Sequence, residues 1–155
     1  MQRYQQLKSQ ILSSYCSINQ PALREEAITH TLSVIDMSLL LAHHRQLNDE
    51  WCACAALLHD LSIFLYNAGH PGHAQKSAQY AQAFLTDGGF QQEEIDVILQ
   101  AIANHSRKDH RDDPYSEVLK DADLLARSLQ EGMLPQQESR RIRLIHLYKE
   151  LELSE

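Results

Sequence analysis

The chain has 155 residues, 43% of them hydrophobic, so it is the size of one ordinary domain and can bury a core without staples. Its 14 Lys and Arg against 21 Asp and Glu give a formal charge of −7, and no long basic run could follow a phosphate backbone, which argues against general nucleic-acid binding. The N-terminus has no apolar signal segment and no stretch nears the ~18 apolar residues that span a bilayer, so the expectation is a cytoplasmic protein without membrane contact.

A helix of about a dozen residues is expected to open the chain. Ile28, Leu32, Ile35, Leu39 and Ala42 then advance by four, three, four and three, an amphipathic stripe that predicts a helix over 21–44. Pro21 suits its start, Glu25 and Glu26 fall in its early turns, and His30 faces a flank of the stripe. Asn48 or Asp49 caps the next helix, which runs through WCACAALLHDL and is apolar nearly all round, so it should be the buried central one. Cys52 and Cys54 lie in it without the two-residue spacer of a zinc or redox pair, and read as small buried hydrophobes in a reduced compartment. Gly69, Pro71 and Gly72 break NAGHPGH into a loop. A helix carrying His73, Ser77, Ala81 and Phe84 follows, up to the turn at Asp87, Gly88 and Gly89.

From Gln92 the stripe Ile95, Ile98, Leu99 and Ile102 leads to His105, and SRKDHRDDP is a charged loop ended by Pro114. From Tyr115 the pattern is helical again, with Val118, Ala122, Leu125 and Leu129 spaced by four, three and four. Pro135 starts a last, charged helix over 135–154. No strand alternation is seen. The expected fold is all-α, one compact bundle of six or seven helices over 1–155, with its core at about 21–130 between two flanking helices.

Nine histidines are many for this length, but their placement says more than their number. His59 and Asp60 end the apolar run AALLHD, so an imidazole and a carboxylate leave the most buried helix together. A buried carboxylate without a partner is costly, and Asp60 therefore calls for a cation, a hydrogen-bond network or a helix end in water. His30, His73, His105 and Asp123 each lie on a different helix. Alone, each has a plain structural role, such as a core histidine or one complementing a helix dipole. Together they make a ligand set for zinc, iron or manganese that several helices can converge inside a bundle.

The order His30, His59-Asp60, Asp123 resembles the HD-domain superfamily of metal-dependent phosphohydrolases, whose name comes from that doublet. ITHTLSVIDMSLLLA is similar to its first metal helix, CAALLHDLSIF to its doublet segment and GHAQKSAQYAQAFL to its downstream histidine helix. IANHS resembles its next histidine and EVLKDADLLA its closing aspartate motif. The resemblance implies a metal site of His30, His59, Asp60 and Asp123, with His59 and Asp60 as the catalytic pair. Asp121 competes for the last place, because a helix does not point two aspartates two residues apart at one ion; the Ala-Asp-x-Leu context favours Asp123. His73 and His105 match the extra histidines of the subgroup in which the doublet aspartate bridges two ions. The GYP-type motif of the cyclic dinucleotide phosphodiesterases is missing.

The function this implies is hydrolysis of a small phosphate ester or nucleotide by water that one or two divalent ions (Mn, Fe, Co, Ni, Zn or Mg) make acidic. Ser77, one turn after His73, is a candidate donor behind the site, and Arg107 and Lys108, in the loop after His105, are candidates for phosphate oxygens. Two alternatives stand beside it: a diiron oxygenase using all six ligands, and a catalytically silent nucleotide-sensing or protein-interaction domain. The charged terminal stretch offers either a cover for the site or the seam of a homodimer.

Overall fold

A computed structural model describes residues 1–153 of the chain. The helices in order are α1 (Gln2–Cys16), α2 (Pro21–His44), α3 (Asp49–Leu58), α4 (Leu61–Phe64), α5 (His73–Asp87), α6 (Gln92–Asn104), α7 (Pro114–Glu131) and α8 (Glu138–Glu150). No strand occurs among the described residues, and α4 is a single turn. The all-α bundle expected from periodicity is therefore what forms, with seven long helices and this one extra turn. None of these helices is long and apolar enough to cross a membrane.

The apolar segment after Asn48 sits in the middle. The Asn48 side chain caps α3 by accepting from Trp51 N at 3.1 Å, and every residue from Cys52 to Leu58 is buried. A helix apolar on all sides needs neighbours on all sides, and α3 packs against α1, α2, α5, α6 and α7. Burial pushes the Cys52 and Cys54 thiols up to about 12, so they remain inert packing groups.

Two helix boundaries differ from the expectation. α3 stops at Leu58 instead of running on through Leu61, because the His59 ring bonds Ala56 O at 2.7 Å, the carbonyl that Asp60 N would otherwise use. Asp60 leaves the helix at φ −113°, ψ 20°, and its own carbonyl restarts the chain as α4, accepting from Ile63 N at 3.0 Å and Phe64 N at 3.2 Å. The last helix begins at Glu138 and not at Pro135. Gly132, at φ 64°, ends α7 in the left-handed region, and extended Gln137 takes the N-cap of α8. Ser154, the expected end of that helix, lies outside the described residues.

Ion pairs fix the loop between α6 and α7. Fully buried Lys120 donates to Asp112 at 2.6 Å, Glu117 at 2.9 Å and the His110 carbonyl at 2.9 Å. From α8, Arg143 donates to Glu117 at 2.7 Å, to Asp121 at 2.9 Å and to the Lys108 and His110 carbonyls at 3.0 Å. A separate pair of ties runs from Arg3, which joins α1 to Glu50 of α3 at 2.7 Å and to Glu94 of α6 at 2.8 Å.

Candidate metal centre

Six side chains, one from each of the helices α2 to α7 or its cap, meet at one point. His30 comes from the interior of α2, His59 is the C-cap of α3, and Asp60 stands at the break before α4. His73 is the first residue of α5, His105 is the C-cap of α6, and Asp123 lies within α7. Three of the histidines are held in the same way. Each Nδ1 sits on the carbonyl three residues earlier: His59 on Ala56 at 2.7 Å, His105 on Ile102 at 2.7 Å and His73 on His70 at 2.9 Å. A histidine that donates Nδ1–H to such a carbonyl, which at Ile102 and His70 also accepts the same residue's backbone N–H, aims a lone pair on Nε2 elsewhere. For His73 the turn depends on Gly72, whose φ of 68° suits a residue without a Cβ.

The Nε2 atoms converge on the aspartates in two groups. His59 Nε2 is 3.2 Å and His30 Nε2 3.8 Å from Asp60 Oδ2, and His30 Nε2 is 3.1 Å from Asp123 Oδ1. On the other side of the same carboxylate, His73 Nε2 and His105 Nε2 are each 3.5 Å from Asp60 Oδ1 and 3.1 Å from one another. His30, His59 and Asp60 thus form one cation-sized donor group, and Asp60, His73 and His105 a second. The Asp60 carboxylate belongs to both.

These atoms fit a divalent metal by their chemistry and by what they lack. Imidazole and carboxylate suit first-row transition ions. Both ring nitrogens of His30, His59 Nε2, Asp60 Oδ1 and Asp123 Oδ1 are buried without a hydrogen-bond partner. An unsatisfied buried polar group costs about 1–3 kcal/mol, so several of them gathered in one place need a shared partner.

The HD domain family model matches residues 27–128, more than half of the chain, across the whole donor set. The chain belongs to the HD domain family. Its fold is also that of the crystal structure of a predicted HD superfamily hydrolase from an uncultured Thermotogales bacterium. That match has a TM-score of 0.65 at 21% identity and covers 96% of this chain and 88% of the other. No curated protein matches it. HD domains bind divalent metals, and the His and Asp cluster of this HD domain is able to hold one.

Electrostatics in the HD site follow from burial. Burial works against both carboxylates, yet Asp60 is held well below its ordinary range by His59 and His105, and Asp123 by Lys108 and His30. Burial pushes His105 down, whereas at His59 the nearby Asp60 outweighs burial and raises it. Both aspartates therefore stay ionised, as ligands must.

Asp121 turns away from the cluster, pairing with Arg45 at 2.7 Å and Arg143 at 2.9 Å. Ser77 accepts from Ser62 N at 3.1 Å and donates to Ser62 Oγ at 3.0 Å, and Ser62 Oγ donates to the His73 carbonyl at 3.0 Å, which ties the doublet segment to α5. Lys108 is buried, donating to Asp123 Oδ2 at 2.5 Å and the His105 carbonyl at 3.0 Å. That leaves Asp123 Oδ1 to face His30. Arg107 is directed to Asn104 at 2.6 Å and Asp112 at 3.2 Å, and it does not line the cavity that opens on the cluster.

That cavity, of about 180 Å³, is walled in part by Asp60, His73, His105, Asp123, Arg127 and Arg140. The two arginines are absent from the reading of the sequence. Arg127 carried a signal, since it follows Asp123 by one helical turn. Arg140 carried none, since its approach depends on how α8 packs.

Proposed function

We propose that this HD domain is a metal-dependent phosphohydrolase acting on a small phosphate ester or nucleotide. The observation that carries the reading is the double use of Asp60, with Oδ2 facing His59 and His30 and Oδ1 facing His73 and His105. His30, His59, Asp60 and Asp123 would hold a first divalent ion, and His73, His105 and Asp60 a second. Bound there, such ions supply Lewis acidity and lower the pKa of water toward neutrality. The chain's own groups set the charge: four neutral imidazoles and two carboxylates balance one divalent ion and leave two positive charges with two. That excess suits a phosphate ester. His59 and Asp60, both buried, would orient the attacking water and keep bulk solvent out.

The same six donors also support oxygen chemistry on two irons as a second reading. One experiment separates the two. Metal-free protein is reloaded with manganese, cobalt, nickel or iron, and phosphate release from a panel of mono- and diesters is followed without oxygen. Anaerobic release with manganese, cobalt or nickel is the expected result. Turnover that needs both iron and oxygen and liberates no phosphate would overturn it.

A further inference from the structure

Three cations line the cavity over the donor cluster: Lys108, Arg127 and Arg140. Lys108 is already committed to Asp123 and the His105 carbonyl. Arg127 is only loosely engaged. It lies 3.5 Å from Asp123 Oδ1 through Nε and 3.7 Å from Asp60 Oδ2, contacts too long to be hydrogen bonds. Those oxygens are the ones His30 and His59 face. Arg140, in the first turn of α8, is half-buried at the same opening, and no described carboxylate lies within ion-pair distance of it. Both arginines also border a neighbouring cavity of about 260 Å³, shared with Leu124, Ser128, Glu131 and Gln137, and Glu131 is not within ion-pair distance of either.

A cation held by Asp60 and Asp123 takes up the charge that offsets Arg127. Two guanidiniums and at least one divalent ion then face a space of about 180 Å³ whose described lining has no carboxylate besides Asp60 and Asp123. A multiply charged anion resolves that repulsion. Guanidinium is the side chain whose planar fork pairs two oxygens of a phosphate at once. A phosphomonoester presents three non-bridging oxygens and, with a second pKa near about 6, close to two charges at neutral pH. A diester presents two oxygens and one charge, which leaves one arginine unpaired.

Resting on the phosphohydrolase reading, we propose that Arg127 and Arg140 clamp the non-bridging oxygens of a dianionic phosphate, so that the substrate is a phosphomonoester and its organic group lies in the neighbouring cavity. The clamp spans α7 and α8, which makes the last helix part of the substrate site. Selection for a monoester comes from the second arginine.

The test uses the full chain loaded with manganese, as wild type and as Arg127→Gln, Arg140→Gln and Arg140→Lys. Calorimetry with inorganic phosphate is paired with kcat/KM for p-nitrophenyl phosphate and bis(p-nitrophenyl) phosphate, and manganese content is measured for each protein. Each glutamine variant should weaken phosphate binding about tenfold and lower the monoester-to-diester ratio by a similar factor, with manganese content unchanged. Arg140→Lys, which keeps the charge but loses the fork, should fall between. Unchanged phosphate binding in both glutamine variants at equal manganese content overturns the clamp, and so does a wild type that prefers the diester. Loss of phosphate binding in the variants, from a wild type that hydrolyses neither ester, supports the clamp and removes the hydrolase reading. Hydrolysis with phosphate binding indifferent to both arginines does the reverse.

Discussion

Helix α7 carries two aspartates two residues apart, and they belong to two different kinds of buried polar cluster. Asp121 joins Arg45, Arg143, Glu117 and Lys120 in a network where opposite charges meet at 2.6 to 2.9 Å. Asp123 joins His30, His59 and Asp60, where acceptor atoms face one another and several have no partner. Both clusters are charged, and each aspartate is itself buried. What separates them is satisfaction of their polar atoms: the first is complete within the chain and holds the α6–α7 loop and α8 in place, and the second is completed only by something added to it. Incompleteness, more than charge or burial, marks the functional side of α7.

The largest effect on stability should come from breaking the complete cluster. Lys120→Met leaves Asp112 and Glu117 without their shared cation, and should lower stability by about 3 kcal/mol in a denaturant titration while metal content stays at the wild-type level. Loss of the metal along with the stability would show that the two clusters are not separate. The incomplete cluster should respond to its ligand instead. A divalent ion at a hundredfold excess over its Kd should add roughly 2.7 kcal/mol to wild type, and a chelator should remove it. Asp123→Asn should blunt that response; a melting temperature indifferent to metal in the wild type would remove the distinction.

The smallest effect belongs to the surface ties. The hydrogen bond from Arg3 first, and then that from Gln91 N, hold the Glu94 carboxyl at about 2, below its ordinary 4.5. Because the folded state holds the proton less readily, this contribution is complete above the ordinary value and is lost as pH falls from there toward about 2. Glu94→Gln should cost about 1 kcal/mol at neutral pH and flatten the acid limb of the stability curve. An acid limb identical in the two proteins would rule out that tie.

Much of this was legible before any coordinates. The stripe from Ile28 to Ala42, the wholly apolar WCACAALL and the glycine-marked turns lead to helices whose ends lie within a few residues of those expected. The candidate ligands stood out by occurring together, spread over several helices, in an order that resembles the HD family's. The break after Leu58 is a local event, the His59 ring taking the Ala56 carbonyl three residues back, that apolar periodicity does not register. The rest was set by tertiary contacts. Adjacent Arg107 and Lys108 look alike as loop cations, yet one is directed to Asp112 and the other is buried against Asp123. Arg140 lies 17 residues beyond Asp123 in the chain, and only the packing of α8 brings it to the cavity.

Metal stoichiometry, measured by elemental analysis on wild type, Asp123→Asn and Asp121→Asn after the same reloading, tests the contrast between the two aspartates most directly. One or two equivalents in wild type, the same in Asp121→Asn and clearly less in Asp123→Asn is the predicted result. Full occupancy in Asp123→Asn, or loss confined to Asp121→Asn, would contradict it.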